Sequence, residues 1–269
     1  MNIKINKKIN IFYYFINQKH NNICNWFIKI ILEKNLDVLF FQNNTWVNLS
    51  EFFDKKDLYL FHDQYRVFSV RKNIEWRIHK HILLQWKKYF ESNEQIINKL
   101  IHKEHKLTDV KNFDLSAIPI YLTININSKD VSAWYSVSNN NMFLVIEIPP
   151  NKKPNYNNLF PCAILLHEYF HLLIRRNYKL LQTINNFSKN INDKHFFEEL
   201  IISSFVPEGY LGIKFLNVKK LKYSSKSKDL LDQRRYIADK MYNHAYKYVE
   251  SNKKIDQLYL NLVKKLLLI

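Results

Sequence analysis

Glycine is scarce in this chain of 269 residues, with Gly209 and Gly212 the only two present. Loops that wrap closely around a phosphate need glycine, because a side chain would keep the backbone away from the ligand. The G-x-G-x-x-G and G-x-x-x-x-G-K-[ST] patterns are accordingly missing. Nucleotide chemistry through either kind of loop is excluded.

Cysteines are also few, and long apolar runs are absent from the sequence. Cys24 and Cys162 are the only cysteines, which is too few for a four-cysteine zinc ribbon and gives no disulfide framework. The apolar stretch at 9–16 is short, contains Asn10 and lacks a small-residue cleavage site. No run approaches the roughly 18 apolar residues of a membrane span. We therefore expect a cytoplasmic protein without a membrane span.

Acidic residues are few, with 24 Asp and Glu against 41 Lys and Arg and a formal net charge of +17. An excess of this size raises the possibility of nucleic-acid binding. However, the basic residues are mostly Lys, occur in every segment and accompany Asn, Ile, Phe and Tyr, as in chains from AT-rich genomes. We expect no nucleic-acid partner, and a basic nucleic-acid-associated protein is kept as an alternative.

The most informative motif is His167-Glu168-Tyr169-Phe170-His171. Residues four apart lie one turn above each other on a helix, so both imidazoles project from one face. Two neutral histidines at that spacing can bind one Zn²⁺, and the Glu beside them can take a proton from a water molecule. The spacing predicts His167 and His171 as metal ligands and Glu168 as general base.

The residues around the motif predict a buried helix. An apolar run at 159–166 precedes the motif and another at 172–174 follows it. Pro161 suits the first helical turn, and Arg175 and Arg176 suit the last, where cations complement the helix dipole. Polar side chains on such a helix are costly to bury without partners, and a metal satisfies both histidines together.

A third protein ligand is needed, and the sequence leaves several candidates. The continuation H-E-x-x-H-x-x-G-x-x-H is excluded, because Ile174 and Asn177 stand at its glycine and histidine positions. A second helix is predicted at 194–205, with Asp193 as its N-cap. It carries the next candidates downstream, which are His195, Glu198 and Glu199.

These residues, together with Phe197-Glu198-Glu199-Leu200, resemble the zincin metallopeptidases and, within them, the gluzincins. The resemblance covers about 118–215. It implies that Glu199, in preference to Glu198 or the runner-up His195, is the third zinc ligand. It further implies a peptide or protein substrate, hydrolysed with Glu168 as the base. Ser203 stands where some members carry Asp, four residues after the ligand.

In the resembled families a His or Tyr from later sequence stabilises the oxyanion formed during hydrolysis. Tyr210, Tyr242 and His244 are the candidates here, and Tyr210 and His244 are predicted as catalytic residues. A catalytically inactive zincin-like binding module is the other alternative to a zinc metallopeptidase.

The predicted fold class is α+β and mostly helical, with a small, mainly antiparallel sheet packed on the motif helix. Strands are predicted at 118–124, 132–137 and 142–148, the last two forming a hairpin, and helices at 230–251 and 254–268. We expect a helical region of unknown role at 1–115 and a zincin-like domain at 116–269. The resemblance makes the hairpin with Trp134 a candidate for pairing with extended substrate.

Overall fold

The computed structural model describes residues 1–17, 22–34, 53–111, 113–138, 141–188, 194–220, 222–224 and 229–267. The chain forms two compact units, one of residues 1–89 with 116–154 and one of residues 90–115 with 155–269. This division differs from the predicted single boundary after residue 115. One reason for the difference is a strand at Asn2–Lys4, which was not predicted from the sequence. It pairs with the strand at 119–124 and so joins the amino terminus to the sheet.

The first unit contains a four-stranded sheet and the amino-terminal helices. Its elements are β1 (Asn2–Lys4), α1 (Lys7–Ile16), α2 (Asn22–Glu33), most of α3 (Lys55–Ser92), β2 (Pro119–Ile124), β3 (Ser132–Ser138) and β4 (Asn141–Ile148). The strand order is β1-β2-β4-β3. The mostly helical α+β class and the three predicted strands are thus confirmed.

The sheet is mixed, however, and the expectation of a mainly antiparallel sheet is wrong. β3 and β4 form the predicted antiparallel hairpin, whereas β1·β2 and β2·β4 are parallel pairs. After β2 the chain passes over one strand position to reach β3, and β4 then returns into the gap beside β2. This order leaves β3 at the edge of the described sheet, whereas the hairpin turn at 139–140 lies outside the described residues.

Buried polar contacts hold the first unit together. Asn10 on α1 donates from Nδ2 to the carbonyl of Leu122 and accepts from the amide of Ile124, at 3.0 and 3.1 Å, which fixes α1 on β2. The indole of Trp134 donates to Glu147 at 3.0 Å. The Trp134 ring is therefore held within its own unit, and pairing with substrate through β3 stays a prediction.

The second unit is helical among its described residues. Its elements are α4 (Glu94–Thr108), α5 (Phe160–Arg176), α6 (Tyr178–Phe187), α7 (Lys194–Ser203), α8 (Tyr210–Leu216), α9 (Leu230–Glu250) and α10 (Gln257–Leu267). α5 carries the His-Glu motif and contacts α4, α6, α7 and α8. Twelve of its residues are buried, as expected of a helix that is apolar on nearly all sides. Pro161 and the Arg175-Arg176 pair occupy the predicted ends.

Glu104 on α4 is fully buried, and neither of its carboxylate oxygens has a hydrogen-bond partner among the described residues. Burial raises the pKa of Glu104 well above its ordinary value. The folded chain therefore keeps this proton at pH values at which the unfolded chain has lost it. The contribution of Glu104 to stability is then greatest below about pH 4.3, the ordinary pKa of Glu, and falls as the pH rises toward its folded-state pKa.

Glu104→Met is expected to raise the free energy of unfolding at neutral pH by about 1–3 kcal/mol, because it removes an unsatisfied buried carboxyl group. The gain should be larger at pH 7.5 than at pH 5, and urea denaturation at the two values measures it. Glu104→Gln, which stays polar but cannot ionise, should lose the pH dependence and gain less stability. A larger gain at pH 5 would contradict this account.

None of the helices in the described ranges combines the length and the apolar composition needed to cross a membrane. Even α3, with 38 residues, is too polar along its length.

Candidate metal centre

Helix α5 places its two motif histidines side by side. The ring centroids of His167 and His171 lie 5.0 Å apart, and both side chains are buried, with 4% and 1% of their surface exposed. This is the arrangement expected for residues one turn apart on the same helical face. Two imidazole rings are thereby brought into the interior, where each of their four nitrogens needs a polar partner.

Glu199 on α7 supplies the third donor group. Its Oε2 lies 3.1 Å from Nε2 of His167, and its Oε1 lies 3.0 Å from Nε2 of His171. The donor atoms of the three residues all lie within 4.8 Å of one another. A tetrahedral zinc ion with bonds of about 2.0–2.1 Å separates its ligand atoms by about 3.3 Å. The spacing of the three side chains fits such an ion.

The other nitrogen of each imidazole has its own acceptor. Nδ1 of His167 donates to the carbonyl of Val206 at 3.1 Å, and Nδ1 of His171 donates to Glu198 at 2.7 Å. Glu198 is held in turn by Arg175, whose Nη2 lies 2.9 Å from Oε2. With a proton on Nδ1, each ring has Nε2 as the nitrogen that could bind a metal, which is how metal-binding histidines are commonly oriented. The donor set therefore fits zinc.

Without a metal, the same groups form a charged hydrogen-bonded cluster. Burial by itself lowers the pKa of His171, but hydrogen bonds to Glu198 and Glu199 outweigh it and raise this pKa to about 9. Burial acts to raise the pKa of Glu199, yet the bonds to His167 and His171 bring it well below its ordinary value. At neutral pH a metal would therefore have to displace a proton from the cluster.

Glu168, the predicted base, directly follows His167 on α5 and is half-buried. Burial raises its pKa, an effect that the nearby charges of His167, His171 and Arg234 partly offset. A raised pKa makes a carboxylate a stronger proton acceptor, which suits a general base working near neutral pH.

Gly209 ends the turn that follows α7, and Gly212 lies in the first turn of α8. A Cβ at Gly209 would overlap the carbonyl of Ser204, and a Cβ at Gly212 would overlap the carbonyl of Pro207. Only glycine allows the backbone to close so tightly on itself here. The turn between α7 and α8 contains the Val206 carbonyl that orients His167. The close backbone packing at the two glycines therefore helps to position a group of the candidate metal centre.

Tyr210 and His244, predicted as catalytic residues, are not brought to the cluster. The hydroxyl of Tyr210 donates to Glu250 at 2.9 Å, and its ring packs against Tyr242 and Tyr246. Arg234, on the same helix α9, contacts Glu199. Glu250 and His244 lie sixteen and ten residues beyond Arg234, or about 24 and 15 Å along the helix axis. Neither prediction gains support from this geometry.

His195 does lie beside the cluster. Its Nε2 is 3.3 Å from Oε1 of Glu199, and its ring centroid is 5.6 Å from that of His171. The side chain is 57% exposed, so His195 marks the solvent-facing edge of the centre. Asp193, the N-cap predicted for the helix that carries His195, lies outside the described residues.

The sequence interpretation missed Arg234, and it assigned Arg175 only to the helix dipole. Only seven of the 41 basic residues are arginines, and four of them form the pairs 175–176 and 234–235. Arginine is preferred over lysine where a planar group with several donors must bind carboxylates. Its rarity in a Lys-rich chain was a usable signal for these two positions.

Comparisons of the chain with models of protein families, with curated proteins and with solved structures gave no match.

The different contacts of the two glutamates predict different effects of their removal. Glu199→Ala is expected to abolish retention of zinc, because Glu199 lies against both Nε2 atoms. Glu198→Ala should weaken zinc binding by about 10–100-fold, the usual cost of removing a group that supports a ligand histidine. Titration against a chelator measures both affinities. If Glu198→Ala has the larger effect, Glu198 rather than Glu199 is the ligand.

Proposed function

We propose that this protein is a zinc-dependent metallopeptidase whose metal is held by His167, His171 and Glu199. The observation that carries the proposal is the cluster of three buried donor groups, with both histidines oriented through Nδ1 and with Glu168 next to His167 on α5. Three protein ligands leave a coordination position open, as in catalytic rather than structural zinc sites.

When bound, a zinc ion supplies a Lewis acid that lowers the pKa of water and polarises a carbonyl group. His167 and His171 would hold it through Nε2, while Val206 and Glu198 keep the two rings in the required orientation. Glu168 would take a proton from the attacking water and then deliver it to the nitrogen of the leaving amine. The exposed side of the centre at His195 would admit the substrate.

The test is a search for cleavage in a pool of peptides of varied sequence, read by mass spectrometry. Zinc-loaded protein should cut at a reproducible set of bonds, and a chelator should stop the reaction until zinc is returned. Glu168→Gln, purified in parallel, controls for contaminating peptidases. Cleavage that survives the chelator or equals that of the variant would count against the proposal, and zinc binding with no cleavage would favour a binding module.

A further inference from the structure

Arg234 on α9 approaches the candidate ligand Glu199 from the side of His167. Its Nη1 lies 3.4 Å from Oε2 of Glu199, the same oxygen that lies 3.1 Å from Nε2 of His167. The side chain of Arg234 is only 18% exposed. A partly buried guanidinium is thus paired with the carboxylate that would bind the metal.

The guanidinium is itself held in place by two further contacts. Its Nε donates to the hydroxyl of Ser203 at 2.7 Å, and its Nη2 donates to Oε2 of Glu208 at 3.2 Å. Ser203 ends α7, one turn after Glu199, and Glu208 lies in the turn that follows. All three nitrogens are therefore engaged, which fixes the plane of the group and leaves it poorly suited to bind a substrate.

A lysine cannot reproduce this set of contacts. Its single ammonium carries donors at one point, whereas the guanidinium presents nitrogens along a rigid plane toward Ser203, Glu208 and Glu199 together. The charge is needed as well, since the side chains of Glu199 and Glu208 are each only 9% exposed. A buried carboxylate without a counter-charge is costly.

We propose that Arg234 is a positioning residue of the metal centre, which holds the Glu199 carboxylate in the orientation that a metal requires. The proposal rests on the proposed metal site and adds α9 to the elements that build it. A bound metal would replace the hydrogen bonds of Glu199 to His167 and His171, whereas the contact with Arg234 would persist and order the carboxylate in advance.

The test compares Arg234→Met and Arg234→Lys with Arg235→Met as a matched control. Arg235 is the next residue on α9, and it contacts Asp232 and the carbonyl of Lys222 rather than the cluster. Affinities for Zn²⁺ and Co²⁺ are measured by competition with a chelator. Arg234→Met should lose about 10–100-fold in affinity, the range for groups that orient a metal ligand, and Arg234→Lys should lose less. Arg235→Met should stay within about twofold of the wild type, because the groups that orient the ligands are unchanged.

A purely structural link between α7 and α9 predicts a different pattern. Urea unfolding of the metal-free variants would then show lower stability, while metal affinity and the visible absorption spectrum of bound Co²⁺ would stay unchanged. That result overturns the proposal. If Arg234→Met is too unstable to purify, an unchanged affinity and Co²⁺ spectrum for Arg234→Lys overturn it equally.

The outcomes separate this proposal from the proposed function. Failure of the wild type to bind Zn²⁺ or Co²⁺ overturns both, since no metal centre would exist. Binding by the wild type with equal binding by the Arg234 variants overturns the role of Arg234 alone. Metal binding and its dependence on Arg234 without any peptide cleavage would leave the positioning role intact and remove the peptidase activity.

Discussion

Glu168→Gln is expected to lower peptide hydrolysis by about 10²–10⁴-fold while zinc stays bound, because the amide keeps the size of the side chain but cannot accept the proton. The ligand atoms of His167, His171 and Glu199 are untouched by the change. Metal content and the turnover of a cleaved peptide, measured on the same preparation, give the two results.

Two controls define what this result means. Glu168→Asp keeps the carboxylate but shortens its reach, so it should retain more activity than Glu168→Gln. A loss of zinc from Glu168→Gln would show instead that the residue supports the metal. Undiminished turnover with zinc bound would remove Glu168 from the mechanism.

His171→Ala is expected to lower zinc affinity by more than about 100-fold, the upper range for losing a group that only supports a ligand. His171 is 1% exposed, and it offers Nε2 to the cluster while Nδ1 donates to Glu198. Its removal therefore takes away a ligand and leaves only two, which bind a metal poorly. Equilibrium dialysis against a zinc buffer measures the loss.

His167→Ala should behave in the same way, since its Nε2 faces the other oxygen of Glu199. His102→Ala is the matched control, because His102 lies exposed on α4 of the same unit and should leave zinc affinity unchanged. Stoichiometric zinc in both the His167 and His171 variants would mean that any metal binds elsewhere in the chain.

The local parts of the structure were predictable from the sequence. The His167-Glu168-Tyr169-Phe170-His171 spacing fixes a shared helical face, and Pro161 together with Arg175-Arg176 marks the ends of that helix. In such patterns the relative positions of the side chains follow from residues that are only a few positions apart. The three strands at 119–148 were predictable for the same reason, because alternation and turn residues act over a few neighbours.

Long-range pairing was not predictable in the same way. No local pattern states that Asn2–Lys4 joins β2 or that β4 runs parallel to β2. The supports of the candidate centre are likewise distant in sequence, since Arg234 lies 35 residues after Glu199 and Val206 contributes only a backbone carbonyl. Tyr210 and His244 were predicted as catalytic residues from their order in the chain alone. Chain order does not show that α9 brings Arg234, and not His244, to Glu199.

The metal content of the purified protein tests the central claim most directly. After dialysis against metal-free buffer and reloading with Zn²⁺, elemental analysis should give about one zinc per chain for the wild type, as one set of three ligands predicts. The His171→Ala variant, treated identically, should give close to none. No zinc in the wild type, or one zinc in both proteins, would contradict a metal centre formed by His167, His171 and Glu199.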